Sequence, residues 1–336
     1  MKKHFVLLAK YFSWMLMVAA LCGPLRADIV RTQVITLQQG WNSVLLQVTP
    51  SPKDPSLVFS NTPVTMCAMF SGIAPTAQYI QNPPAIQWKR DGWLVWYSPT
   101  RPDSFLSTLQ ALNANKSYLI YSQQAYTWTV QGTVNYALTK WKPNAFNYVG
   151  FGVDPQSPPT FGQYFAPSTN HQPYQIYRLN NGQWAQVANP VGTPMQAGEA
   201  FWIYCNGSST YQGPLTVKLD SGQQVSFSSS GQTGMLLGNQ TTEPMNVKVQ
   251  TVANDIGIPL SYVMRGITPG AMVNSTYNLP ATYQVPTLTP SQQYGFWLAL
   301  RREQMVNPTQ SALLEITTDT GVQIWVPVQG QNTITQ

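Results

Sequence analysis

GWNSVLLQVTP, residues 40–50, and AFNYVGFGVDP, residues 145–155, carry one pattern twice. Trp41-Asn42 answers Phe146-Asn147, Val44 answers Val149 and Pro50 answers Pro155, all at a spacing of 105 residues. Further on, NKSYLIY (115–121) answers GEAFWIY (198–204) at a spacing of 83, and TVQGTV answers TYQGPLTV, setting Gly132 against Gly213. Order is kept while spacing differs. Trp41 and Tyr118 lie 77 residues apart, but Phe146 and Phe201 only 55, so the first copy carries 22 extra residues around Ser71 to Pro84. A tandem duplication with a loop insertion accounts for this, and two copies are too few for a solenoid.

Within each copy the local signals are those of short strands. YTWTVQGTV (126–134) alternates Tyr126, Trp128 and Val130 with Thr127, Thr129 and Gln131, the period of a strand with one buried face. Asp91-Gly92 in WKRDGWLVWY and Asn181-Gly182 in YRLNNGQWAQV supply the positive φ angles of tight hairpins. The Asn that follows Trp41 or Phe146 is expected to tie its side chain to a neighbouring backbone turn. A helix is expected only over DSFLSTLQALNA (103–114), with Phe105, Leu106, Leu109 and Leu112 on one face. Beyond Gly213 the text changes. Short strands punctuated by turns, ending in LLEITTDTGVQIWVPV around Asp319-Thr320-Gly321, fit an immunoglobulin-like sandwich. The fold expected is all-β: two duplicated small sandwich- or barrel-like domains, then an immunoglobulin-like domain.

The chain opens with Lys2, Lys3 and Lys10, an apolar run to Cys22, and Ala27 before Asp28, the layout of a secretory signal peptide cleaved after Ala27. The expected division is a signal peptide over 1–27, repeats over 28–137 and 138–217, an immunoglobulin-like domain over 218–330 and a tail over 331–336. The leader holds four of the 18 Lys and Arg and none of the 12 acids, so fourteen against twelve leaves the remainder near +2 instead of +6. No basic block remains that could track a phosphate backbone, which argues against nucleic acid as a partner. Only 9% of residues are charged while 43% are hydrophobic, so Gln, Asn, Ser and Thr make up the polar surface of a globular β protein. No second long apolar run follows the leader, and no membrane insertion is expected after cleavage.

GWNSVLLQV, FNYVGFGVDPQSPPTFGQYFAPSTNH, IYRLNNGQW, GEAFWIYCNGSSTYQGPL and LLEITTDTGVQIWVPV together resemble a family of secreted bacterial proteins. In that family tandem GWN-type β modules precede an immunoglobulin-like domain, sometimes with lectin-like domains after it. The likeness spans nearly the whole chain beyond the leader. It implies an exported, non-catalytic surface or matrix module without a settled ligand; no lectin-like text follows VPVQG.

Sites for chemistry are sparse. His171, in APSTNHQPYQ, is the one histidine beyond the leader, and no G-x-S-x-G stretch accompanies it. Its expected role is that of a hydrogen bonder in a loop. Glu199 stands where the first copy has Lys116, which reads as a solvated turn residue and not as an acid catalyst. No His, Cys or acidic cluster has metal-ligand spacing, and no cofactor is expected. Cys67 and Cys205 are open to two readings: a disulfide stapling the copies, permitted by export, or two buried free thiols. Trp88, Trp93 and Trp96 are the nominated contact residues, because Trp93 and Trp96 point to opposite faces of a regular strand. The expected function is a structural, adhesive or protein-interaction module of the bacterial envelope or extracellular matrix. Its rivals are a glycan binder using the Trp88–Trp96 hairpin and, more distantly, a hydrolase requiring His171 or Glu199.

Overall fold

The computed structural model describes residues 29–332 except 89–91, 221, 228, 253–256 and 269–270. The expected signal peptide, Asp91 of the first expected hairpin, and tail residues 333–336 lie outside the described residues.

Seven strands build the first unit: β1 (Val30–Leu37), β2 (Gly40–Leu46), β3 (Thr49–Pro50), β4 (Val64–Phe70), β5 (Trp93–Tyr97), β6 (Lys116–Ser122) and β7 (Tyr126–Thr133). They form a four-stranded sheet in the order β2-β6-β4-β5 and a three-stranded sheet in the order β1-β7-β3. In β7, Trp128 and Val130 are buried and Thr127, Thr129 and Gln131 exposed, so the period-two pattern sets its facing. Leu37, Leu46, Tyr118, Ile120 and Trp128 fill the core. A helical turn, α1 (Pro55–Val58), starts on an Asp54 cap and supports it.

The second unit has β8 (Ala145–Gly150), β9 (Ile176–Asn180), β10 (Gln183–Gln186) and β11 (Ala200–Cys205). Their order is β10-β9-β11-β8, which, taken from β8, is that of the first four-stranded sheet. The register agrees as well. Trp41 faces Tyr121 and Asn42 faces Ile120, while Phe146 faces Tyr204 and Asn147 faces Ile203. On the far side Phe70 faces Trp93, and Leu179 faces Trp184. A slip of one residue would exchange the two faces of a strand, so equal register means equal inside and outside. Tyr118 and Ile120 line the first core, and Phe201 and Ile203 the second. The short helix α2 (Phe161–Phe165), closed by a Thr160–Gln163 capping box, covers that second core.

The repeated asparagine acts as the sequence suggests. Asn42 accepts from the Gln38 amide at 2.8 Å and donates to the Gln38 and Gly40 carbonyls. Asn147 accepts from the Lys142 amide at 2.8 Å and donates to the Lys142 and Ala145 carbonyls.

Four expectations give way. The middle hairpin of the first copy is not a tight one: residues 81–88 hold no strand and β5 pairs with β4, which ends at Phe70, whereas Asn181 (φ 47°) and Gly182 (φ 74°) alone join β9 to β10. The extra length of the first copy therefore reaches past Pro84 to Gly92. Residues 103–114 hold only a 3-10 turn at Ser104–Leu106. The rest runs along β5, where Ser107 and Thr108 hydroxyls accept from the Tyr97 and Val95 amides at 3.0 Å, and this edge pairing outweighs helical periodicity. The TYQGPLTV match does not extend to a sheet strand like β7, because Leu215–Leu219 pairs with the third unit instead. That moves the boundary expected at 217 toward residue 214.

The third unit is an immunoglobulin-like sandwich whose strands are β12 (Leu215–Leu219), β13 (Val225–Phe227), β14 (Gln232–Asn239), β15 (Val247–Val252), β16 (Leu260–Thr268), β17 (Ala271–Asn278), β18 (Thr282–Gln284), β19 (Gln293–Leu300), β20 (Thr309–Thr318) and β21 (Gln323–Gln331). Its two five-stranded sheets, β12-β14-β19-β16-β17 and β13-β21-β20-β15-β18, close over Phe227, Leu237, Phe296, Leu314 and Val326. The chain as a whole is all-β. Among the described residues no helix is long and apolar enough to cross a membrane.

Candidate functional site

Each four-stranded sheet has one face on its own core, and the two remaining faces, built from equivalent positions, meet each other. Phe70 lies 4.9 Å from Trp202, ring to ring and edge-on. Trp93 reaches Trp202 and Tyr148, each at 6.4 Å, and Tyr148 stacks on Trp202 at 5.0 Å. Trp184 closes on Tyr148 edge-on at 5.8 Å. Such edge-to-face and offset contacts suit the ring quadrupoles and add to the area removed from water. Polar ties reinforce the seam: Ser43 Oγ donates to the Ala200 carbonyl at 2.6 Å and lies 2.7 Å from Tyr148 Oη.

Residues 71–92 clamp the seam. The Ala74 carbonyl accepts from the Phe146 amide at 2.7 Å on β8, and Asn82 Oδ1 accepts from the Trp184 amide at 2.8 Å on β10. β8 and β10 are the two edges of the second sheet, so one insertion covers both. At its neck a Cβ on Gly72 would stand 2.7 Å from the Gly92 Cα, and Gly92 has a φ of +102°, which is why glycine occupies both positions.

The nominated tryptophans divide accordingly. Trp93 and Trp96 do face opposite ways, but both faces are covered. Trp96 is 4% exposed in the first core, its Nε1 donating to Ser56 Oγ at 2.9 Å. Its nomination as a contact residue is corrected by that burial. Trp93 is half-buried in the seam. Trp88 is half-buried at the rim and stacks on Trp41 at 5.1 Å. The disulfide reading is corrected too: Cys67 and Cys205 are free, buried in separate cores. Burial pushes both thiols up, away from the thiolate.

His171 is 2% exposed, packed 4.1 Å from the Trp141 ring, with Nδ1 2.6 Å from Ser168 Oγ. Its Nε2 is buried without a hydrogen-bond partner, and burial lowers its pKa to about 4. The Ser168–His171 pair resembles a nucleophile and base only in element type, since neither side chain is open to a substrate. Glu199 is not the solvated turn residue expected: its side chain is 13% exposed and Oε1 accepts from Arg178 Nε at 2.9 Å. Burial raises its pKa to about 7 against the opposing pull of Arg178. Its backbone lies against β2, where the Leu45 amide donates to the Gly198 carbonyl at 2.8 Å. The charge that differs from Lys116 thus pairs within the second copy, while the backbone of the same corner makes the contact between copies.

A cleft of about 700 Å³ opens where the three units meet, walled by the linker 134–142, the outer part of β2 and β8, and the start of β21. The hairpin β20–β21 enters it from the sandwich, with the Gln323 amide donating to the Gly152 carbonyl at 3.1 Å. Arg31 lies 4.2 Å over the Trp325 ring, and Tyr136 Oη donates to the Val217 carbonyl. Lys116, Lys140 and Lys142 line the cleft, and among the described residues no acidic one does. Lys142 Nζ donates to the Ser71 carbonyl at 2.9 Å and to that of Gly72. Burial, and then the charge of Lys116, lower the Lys142 pKa. Sequence reasoning missed this cleft because its walls come from all three units. The only local signal was the pair Lys140 and Lys142 between the repeats.

No family model matches the chain, and no curated protein matches it. Among solved structures it is similar to the ASH/PapD-like domain of human CEP192 (PapD-like domain 7), with a TM-score of 0.23 and 11% identity, covering 37% of this chain and 87% of that one.

Proposed function

We propose that the chain is an exported, non-catalytic structural and interaction module of the bacterial envelope or extracellular matrix. One observation carries the reading: the side chains best equipped for chemistry, His171, Glu199, Cys67 and Cys205, are consumed by core packing and by an ion pair within the second copy. The leader-like 1–27 and the resemblance to secreted GWN-type modules support the exported part. The partners expected on this reading are other envelope or extracellular proteins.

A glycan-binding reading is favoured by one feature, the half-buried Trp41–Trp88 stack at the open rim of the seam. Fractionation of cells that express the full chain tests export; recovery in the cytosol as an uncleaved chain refutes it. Crosslinked pull-down of envelope proteins and a glycan array then separate the two readings. Protein partners unaffected by Trp88→Ala support the first, and glycan binding lost in Trp41→Ala and Trp88→Ala supports the second.

A further inference from the structure

We infer that the central cleft is a binding site for an acidic polysaccharide, one bearing carboxylates among many hydroxyls. The inference rests on the non-catalytic reading, since a matrix module holds such a polymer without cutting it.

The charge distribution comes first. Among the described residues no acid lines the cleft, whereas three lysines do. Lys116 and Lys142 are close enough to repel, and like charges that share a wall favour an anion between them. Two carboxylates of the surrounding strands are occupied: Glu199 by Arg178 at 2.9 Å, and Glu315 by the Gln323 side-chain amide with Arg31 close by. A recess of one sign between low-dielectric walls concentrates the opposite charge.

The polar groups then narrow the class. Asn113, Asn135 and Gln223 are exposed at the lining, and each side-chain amide offers both a donor and an acceptor, as sugar hydroxyls require. Nucleic acid fits less well. It carries a charge at every nucleotide and needs a longer basic track with open rings for its bases. Here the rings at the lining are taken: Trp325 lies under Arg31, and Phe146 is 2% exposed.

The test uses the full chain with an oligogalacturonate, a maltooligosaccharide of equal length as neutral control, and a single-stranded oligonucleotide of equal charge, each followed by calorimetry. The uronate is expected to bind, to weaken several-fold as salt rises, and to outbind both controls. Lys116 and Lys140 are exposed, so Lys116→Ser with Lys140→Ser leaves the unfolding curve unchanged and lowers uronate affinity about tenfold or more. Absence of uronate binding, equal binding of the neutral sugar, tighter binding of the oligonucleotide, or full affinity in the double variant would each overturn the site. Release of reducing ends from a uronate that needs both lysines to bind would uphold the cleft and overturn the non-catalytic reading.

Discussion

Replacing Glu199 by Gln should give the protein an acid sensitivity that the wild type lacks. Two buried groups have their pKa values shifted in opposite senses by the fold. Glu199 is raised in the fold from 4.5 to about 7, so the folded chain holds this proton more tightly. Its contribution to stability is greatest below pH 4.5 and declines as pH rises to about 7. His171 is lowered from 6.5 to about 4, so its contribution is full above pH 6.5 and declines as pH falls to about 4. Each pKa unit corresponds to about 1.4 kcal/mol. Between pH 4.5 and 6.5 the two slopes oppose each other and nearly cancel. Glu199→Gln leaves the histidine slope alone, and the variant should lose about 3 kcal/mol across that window. Asp103, held low by Arg101, titrates below the window and leaves the comparison clean. At any single pH the offset mixes the loss of a carboxylate partner for Arg178 with relief of a buried charge, so the slope is the quantity to measure. Urea denaturation followed by tryptophan fluorescence, in half-unit steps from about pH 4.5 to about pH 7.5, reads it. Parallel profiles for wild type and variant would refute the assignment of opposing buried protons.

Trp202 is 1% exposed at the centre of the seam, so Trp202→Ala should cost about 3–5 kcal/mol in denaturant unfolding, against less than about 0.5 kcal/mol for Leu57→Ala, which is 57% exposed. Asn147→Ala strands three backbone groups beside a side chain that is 5% exposed, and should cost about 2–3 kcal/mol by the same measurement; Asn42→Ala, at a more exposed turn, should cost less. Cys67 and Cys205 should resist a thiol reagent in the folded protein and both react in denaturant; one bridged peptide in a non-reducing digest would contradict their separation. Replacing residues 71–92 by Asn-Gly, the turn the second copy uses, should bare β8, β10 and the rings of the seam. Concentration-dependent association in size-exclusion chromatography is then expected.

The four-stranded plan was legible wherever both sides of a contact were written in local text. The Trp41 and Phe146 motifs fixed register because each strand alternates, and the Asn latch followed from a short side chain beside a turn. Residues 103–114 misled because Leu109 and Leu112 have helical spacing, yet both reach the first core from an extended path, Leu109 beside β5 and Leu112 beside Lys53. Glu199 misled because its ion-pair partner, Arg178, lies 21 residues away on another strand. Trp93 and Trp96 were rightly placed on opposite faces; what covers the outer face belongs to the other copy, over a hundred residues later, and no local pattern announces it.

The insertion in only one copy has a physical reason. Two identical sheets meeting by equivalent faces would leave four strand edges open, a template for further pairing. Here β2 is met by the Gly198–Glu199 corner, and β5 by Ser107 and Thr108. β8 is met by Ala74, and β10 by Asn82. Two of the four covers therefore come from the long loop of the first copy, and that loop cannot be repeated in the second. There the same hairpin position must stay at two residues for Trp184 to close edge-on against Tyr148 and Trp202. Asymmetry of length thus closes an association that symmetry of sequence would have left open.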